Sequence, residues 1–259
     1  MKIVALIKQI LDPQGVVVRR DKERIFVNKE AYIIAPGDKN GLEAALRIKD
    51  AWPDTEVVAV SLGPLRADDA LREALAMGVD IAYLLHDDAF AEVDLPGVAR
   101  ILATAVSLIN PDLIITGRES GSDAAGQIGP RLAEIMDVAQ MTDVHSLTVS
   151  DGAVQAVRRW EDGYATVTAA LPAVITIAPG VNQPRYPHGA RIMNAYRDWE
   201  VSIWDAADLG LTAAVLSPLT EFRSESFAAP LVVGERLRGE PEQIARVLKS
   251  EVRAVIGWQ

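Results

Sequence analysis

Cysteine is absent from this 259-residue chain, and histidine occurs only three times. The absence of cysteine excludes disulfide bonds, thiolate chemistry and metal ligation through sulfur. The three histidines, His86, His145 and His188, are far apart, and none has a second histidine four residues away on the same helix face. The sequence therefore predicts no metal centre.

Motifs of bond-making enzymes are also missing. The chain has no Gly-x-Ser-x-Gly elbow and no phosphate loop that ends in lysine. The acidic residues Asp87, Asp88 and Asp94 lack the spacing of a calcium-binding loop, and we expect them in a solvated loop. No catalytic residue is predicted, so the chain is not expected to be an enzyme in its own right.

Long apolar runs and excess positive charge are lacking as well. No segment reaches the roughly 18 uninterrupted apolar residues of a membrane span, and the opening residues 1–8 predict a first core strand rather than a signal peptide. The formal net charge of −10 disfavours binding to nucleic acid or to an anionic membrane. We expect a cytoplasmic protein that binds no nucleic acid and is not an integral membrane protein.

What the chain does contain is an alternation of short apolar runs with helical patterns. Helices are predicted to begin at Asp38, after Pro96 and near Gln127, and another ends at Gly78. The pattern predicts an α/β fold with a doubly wound, mainly parallel, Rossmann-like sheet in the strand order 3-2-1-4-5. The five core strands are predicted at residues 3–7, 56–62, 81–85, 113–116 and 173–177.

Two antiparallel insertions and a C-terminal change of pattern complete the organisation. Hairpins are predicted for residues 16–27 and 153–170. Residues 180–230 contain four prolines and little periodicity, which predicts an extended C-terminal arm before a last helix at 241–255. We therefore divide the chain into an α/β domain, residues 1–180, and a segment with a docking loop, arm and helix, residues 181–259.

A loop of small and polar residues follows the fourth predicted strand. Gly117, Gly121 and Gly126 allow tight turns and close approach of a ligand, and the helix that begins near Gln127 presents unpaired N–H groups. In the assumed strand order this loop lies beside the end of the first strand, where such sheets bind ligands. The pattern predicts a site for a phosphate-bearing ligand, with an ordinary strand-to-helix connection as the alternative.

Residues 156–176 carry the most specific motif, Ala-Val-Arg-Arg-Trp-Glu-Asp-Gly-Tyr-Ala-Thr-Val-Thr-Ala-Ala-Leu-Pro-Ala-Val-Ile-Thr. This segment resembles the signature of electron transfer flavoprotein beta subunits, including the FixA-type members, and departs from it only at Ala165. The resemblance covers essentially the whole chain. Further matching segments are residues 2–8, 60–64, 74–80, 182–186, 192–193 and 208–210.

The resemblance implies a heterodimer that carries electrons from flavin dehydrogenases to a downstream acceptor. Its alpha subunit would hold most of the FAD, while this subunit would bind AMP and help to enclose that FAD. Residues 182–195 would contact the dehydrogenase. The resemblance also implies the adenine-nucleotide-binding type of fold. Two alternatives stay open: an electron-bifurcating complex with a second FAD in this subunit, and a free-standing nucleotide-binding regulatory domain.

The resemblance also implies where the nucleotide lies. Adenine would contact Leu6 and Leu62, the phosphate would face residues 123–128, the Gln127 side chain would donate, and Arg118 would be a counter-charge. Small residues at Gly37, Ala124 and Gly126 would leave room for more than AMP. The implied cofactor-binding residues are Leu6, Ala35, Pro36, Gly37, Asp38, Leu62, Gly117, Arg118, Glu119, Ser120, Gly121, Ser122, Asp123, Ala124, Ala125, Gly126, Gln127 and Ile128.

Overall fold

A computed structural model describes residues 1–19, 22, 24–121, 124–221, 223, 234 and 236–256. Residues 254–256 are described by their backbone alone. The chain divides into two compact units, Met1–Phe222 and Arg223–Gln259. The predicted division between residues 180 and 181 lies at a different position in the chain. It stays a proposal about which part of the chain docks to a partner.

The strands are, in chain order, β1 (Lys2–Leu6), β2 (Gln9–Leu11), β3 (Val16–Arg19), β4 (Arg24–Val27), β5 (Tyr32–Ile34), β6 (Glu56–Leu62), β7 (Ile81–Leu85), β8 (Leu113–Gly117), β9 (Ala139–Ser150), β10 (Ala153–Trp160), β11 (Gly163–Ala170), β12 (Ala173–Ile177) and β13 (Ser202–Trp204). The α-helices are α1 (Pro36–Ala51), α2 (Asp68–Met77), α3 (Leu95–Ile109), α4 (Ile128–Met136), α5 (Gly189–Arg197), α6 (Ala213–Leu216) and α7 (Pro241–Ile256).

The parallel core of the main sheet confirms the predicted strand order. Its strands run β7-β6-β1-β8-β12, which is the order 3-2-1-4-5 of the five predicted core strands. Every residue of β8 and β12 is buried, because helices cover both faces of the sheet. Leu42 and Leu71 lie in the core on one face, and Ile101 and Leu132 in the core on the other.

The second predicted hairpin extends this sheet rather than standing apart from it. β9 pairs in parallel with β12 and antiparallel with β10, so that the order continues as β12-β9-β10-β11. β9 was missed by the sequence analysis. Its alternation of apolar and polar residues is regular only at 145–150, because the ladder with β12 shifts register near Asp143, which has a positive φ of 54°.

The first predicted hairpin forms its own small sheet. β3 and β4 pair antiparallel as predicted. The short strands β2 and β5, which flank this hairpin in the chain, pair with each other in a second ribbon.

Residues 180–221 contain more regular structure than their prolines predicted. α5 has nine residues, β13 three and α6 four, and such short elements leave little periodicity in a sequence. β13 extends the sheet by pairing in parallel with β7, and the Trp204 ring lies 4.1 Å from that of Tyr83.

The second unit contains α7, which confirms the predicted last helix. Val247, Leu248 and Val252 are exposed on it. Across the part of the chain that the structure describes, no helix has both the length and the apolar content that crossing a membrane requires.

The first turn of α4 packs directly on the sheet. A Cβ on Gly129 would lie 2.3 Å from Cγ2 of Thr176, a residue of β12 that is 2% exposed. Thr176 cannot easily rotate away, because its Oγ1 accepts a hydrogen bond of 3.0 Å from the Asp143 N–H. Glycine at this position therefore brings the N-terminus of α4 against the ends of β8 and β12.

The substitution Gly129→Ala should lower the free energy of unfolding by about 1–3 kcal/mol, the usual cost of overpacking a core. Urea unfolding with an unchanged m-value would measure this loss. In the double variant Gly129→Ala/Thr176→Ser the clashing methyl is gone while the hydroxyl remains, so most of the stability should return. Gly189→Ala, where a Cβ meets nothing within 4 Å, is the control. A Gly129→Ala protein as stable as the wild type would contradict this packing.

Candidate functional site

A cavity of about 530 Å³ opens at the carboxyl ends of β1 and β8, where the strand order reverses. This volume is in the range of small-molecule sites. The predicted site residues that line the cavity are Leu6, Asp38, Leu62, Gly117, Arg118, Glu119, Ser120, Ala125, Gly126, Gln127 and Ile128. The structure thus brings together residues from four separate segments of the sequence.

Five predicted site residues that the structure describes, Ala35, Pro36, Gly37, Gly121 and Ala124, are not among those that line this cavity. Ala35, Pro36 and Gly37 form the start of α1, where Gly37 packs beside the backbone of Gly117 and Glu119. Gly121 and Ala124 are exposed on the loop. Ser122 and Asp123 lie outside the described residues.

Asp38 joins the three elements that meet at the cavity. Its Oδ2 accepts from the Lys8 N–H at 2.9 Å, and its Oδ1 accepts from the Gly117 N–H at 3.1 Å. The sequence predicted that α1 begins at Asp38, which was wrong: Ala35 is the N-cap of α1, and Asp38 lies in the first turn of the helix. Its side chain, in a residue only 5% exposed, faces the sheet, because two backbone N–H groups there need an acceptor.

Gly117 has to be glycine for this arrangement to exist. A Cβ at that position would lie 2.6 Å from Oδ1 of Asp38 and 2.7 Å from the carbonyl carbon of Gly37. The end of β8 and the start of α1 can approach each other this closely only without that atom.

The loop before α4 and the first residues of that helix line the cavity. Gly126 has a positive φ of 63° and Ala124 of 50°, so the chain turns sharply just before the helix begins. Among the described residues, Gln127 is the N-cap of α4 and its side chain does not cap the helix. The first N–H groups of an α-helix have no acceptor within the helix, and they attract anions.

Arg118 is engaged by neighbouring carboxylates. One terminal nitrogen donates to Glu119 at 2.6 Å, and the other lies 3.5 Å from Asp143. The hydrogen bond to Glu119 raises the pKa of Arg118 above its ordinary value, and burial opposes this only in part. The positive charge predicted as a counter-charge is therefore shared with two carboxylates.

The opposite wall of the cavity was missed by the sequence analysis. It is apolar and comes from the segment after β7 and from α3, and its side chains include Phe90, Val93, Leu95, Val98 and Leu102. One signal could have located this wall: the segment follows β7, and the carboxyl ends of β7 and β1 lie at the same edge of the parallel sheet.

Of the three aspartates expected in a solvated loop, Asp88 is exposed, while Asp87 and Asp94 also accept backbone hydrogen bonds from residues far away in the sequence. Asp87 accepts from the N–H groups of Ala89 and Ala206, and these backbone hydrogen bonds lower the pKa of its carboxyl from its ordinary value. Asp94 caps α3 and also accepts from the N–H groups of Leu219 and Thr220. Both carboxylates therefore attach residues 206–220 to the cavity wall.

The predicted docking segment, residues 182–195, is fixed to α1. Asn182 and Asn40 exchange hydrogen bonds of 2.8 to 2.9 Å, and Arg185 donates to Glu43 and Asp50. These contacts leave Tyr186 89% exposed at the surface.

Metal ligands are not grouped in this site. Within the ranges that the structure describes, no three His, Asp or Glu side chains are placed to hold a metal ion.

A family model described as the electron transfer flavoprotein domain matches residues 24–209. The chain belongs to the electron transfer flavoprotein beta-subunit family. It is 38% identical over 209 residues to an electron transfer flavoprotein subunit beta from Thermoanaerobacterium thermosaccharolyticum, with 81% of this chain and 80% of the relative covered.

Two further relatives carry other names. The chain is 35% identical to the caffeyl-CoA reductase-Etf complex subunit CarD of Acetobacterium woodii, with 87% of this chain and 88% of the relative covered. It is 36% identical to protein FixA of Azorhizobium caulinodans, with 82% and 77% covered. The family resemblance stated from the sequence is therefore confirmed, and its FixA-type members are among the similar proteins.

In this electron transfer flavoprotein subunit, Asp38→Asn should cost about 1–3 kcal/mol of stability, because an amide offers one acceptor oxygen where two buried N–H groups need acceptors. Urea unfolding of the variant would measure the loss. Asp54→Asn, at an exposed aspartate, is the matched control and should stay within about 0.5 kcal/mol. Equal stability of the two variants would show that the Asp38 carboxylate does not join these elements.

Proposed function

We propose that this chain is the beta subunit of a heterodimeric electron transfer flavoprotein, that it binds AMP in the cavity at the ends of β1 and β8, and that it helps to enclose the FAD of an alpha subunit. The complex would pass electrons from flavin dehydrogenases to a downstream acceptor in the cytoplasm. The observation that carries the proposal is the cavity itself, which lies at the reversal of the strand order and beside the N-terminus of α4.

The chemistry of the cavity suits an adenine nucleotide. Leu6, Val60 and Leu62 give one side an apolar surface for a flat base. At the other side, the turn at Gly126 and the start of α4 supply N–H donors for a phosphate. Because Arg118 is paired with carboxylates, the backbone would carry most of the phosphate recognition.

A second FAD in this subunit is the other candidate, and the apolar wall supports it. Phe90, Val93 and Val98 extend the cavity beyond the residues proposed for adenine and phosphate, and AMP has no further apolar group to cover them. A bound FAD would supply a redox centre that accepts and donates electrons, whereas AMP would act only as a structural ligand. One of the relatives is named as part of a reductase-Etf complex.

The proposed subunit role also has support outside the cavity. Tyr186, Met193 and Tyr196 are exposed large side chains on and beside residues 182–195, which we propose as the contact with flavin dehydrogenases. The names of relatives that are called subunit beta support the proposed pairing with an alpha subunit. No bond-making step is assigned to the side chains of this chain.

Counting the cofactors of the purified complex tests the proposal. The chain would be coexpressed with its alpha subunit, the complex denatured, and FAD and AMP quantified per heterodimer. One FAD and one AMP are the expected result. Two FAD and no AMP per heterodimer would show that this subunit binds a second flavin instead of AMP. A chain that remains monomeric beside the alpha subunit would favour the free-standing regulatory domain.

Gly126→Val should remove the nucleotide from the complex, because a branched side chain at a positive φ would intrude on the turn that faces the phosphate. The amount of AMP or FAD released per heterodimer measures this. Gly152→Val is the matched control: Gly152 also has a positive φ, 72°, but lies in the turn between β9 and β10 with open space around it. Nucleotide loss in both variants, or in neither, would contradict the proposed position of the phosphate.

A further inference from the structure

The side chain of Gln127 is held by a residue outside the cavity. Arg131 lies one turn further along α4, and its Nε and one terminal nitrogen donate to Oε1 of Gln127 at 3.0 and 2.9 Å. Gln127 lines the cavity, whereas Arg131 does not. Two donors thus converge on the single acceptor atom of this amide.

These hydrogen bonds decide which end of the Gln127 amide, the oxygen or the NH2 group, is available to a ligand. A glutamine amide has one acceptor oxygen and one NH2 group with two donors. Because the Arg131 guanidinium occupies Oε1, the NH2 group of Gln127 is the part left for a ligand. Without Arg131 the amide could rotate and turn its oxygen toward an anion, which would repel it.

The charge at the N-terminus of α4 also favours an anionic ligand. The first turn of a helix normally favours acidic side chains, because its N-terminus carries a partial positive charge. The first turn of α4 has no acidic residue, and a cation follows directly after it. A positive side chain placed there is unfavourable alone and becomes favourable beside a bound anion.

We propose that Arg131 is a positioning residue for the phosphate of the bound nucleotide: its guanidinium fixes Gln127 so that the amide can only donate to the anion at the start of α4. This inference rests on the proposed function and deepens it. Arg131 acts through Gln127, and it distinguishes phosphorylated from unphosphorylated ligands.

The test compares AMP with adenosine on the purified heterodimer after its nucleotide has been removed, with calorimetric titration as the measurement. Arg131→Met should weaken AMP about tenfold or more, the usual effect of losing a hydrogen bond to a charged group. Adenosine, which has no phosphate, should bind within about twofold of the wild type. Glu134→Met, at an exposed charged residue of α4, is the control and should leave both affinities unchanged.

A double-mutant cycle separates positioning from direct attraction by charge. Gln127→Ala should weaken AMP about as much as Arg131→Met, and combining the two should add little. A full additional loss in the double variant would show that the arginine charge acts directly on the phosphate, which overturns the proposal. Arg131→Gln replaces the methionine variant if that protein does not assemble.

The outcomes distinguish a failure of the role proposed for Arg131 from a failure of the proposed function. AMP that binds equally well to the wild type and to Arg131→Met overturns the role of Arg131 and leaves the proposed function standing. Equal weakening of AMP binding and adenosine binding would show that Arg131 stabilises the site as a whole. That result also overturns the proposed role of Arg131 toward the phosphate. A heterodimer that binds neither AMP nor adenosine overturns both proposals.

Discussion

The buried carboxylate of Asp38 is the contact on which the arrangement of the site depends. It joins the start of α1 to the ends of β1 and β8, two neighbouring strands that are followed by helices on opposite faces of the sheet. A buried charge of this kind is tolerated because both of its oxygens accept backbone hydrogen bonds. Asn40 and Glu43 follow on the same helix, and both are buried and bound to residues 180–185. The first two turns of α1 therefore hold the cavity and the proposed docking segment in a fixed relation.

Sequence reasoning succeeded where the physical signal is local and repeated. The core strands are continuous apolar runs, as parallel strands covered on both faces must be, and the order assumed for them is the common one for doubly wound sheets. The ends of α2 and α3 were also readable, from Gly78 and from the proline after Asp94. The glycine loop before α4 was located for the same reason, because small residues between a strand and a helix form a recognisable pattern.

The parts that escaped prediction depend on contacts between distant residues. Asp38 has the sequence of a helix cap, and only the neighbouring ends of β1 and β8 show that its carboxylate serves the sheet instead. The apolar wall at Phe90 carries no motif. Arg131 and Gln127 have the spacing of neighbours on a helix, but the spacing does not show which of them faces a cavity. β13 is too short to be recognised without its partner strand.

The attachment of residues 202–220 to the cavity wall can form only after this late part of the chain has been synthesised. β7 stays an open edge of the sheet until β13 has been synthesised, and Asp87 and Asp94 lack their later partners until residues 206 and 219 have emerged. Open edges of this kind promote mispairing with other chains. A polypeptide truncated just after α5 would lack β13 and the backbone N–H groups from which Asp87 and Asp94 accept hydrogen bonds.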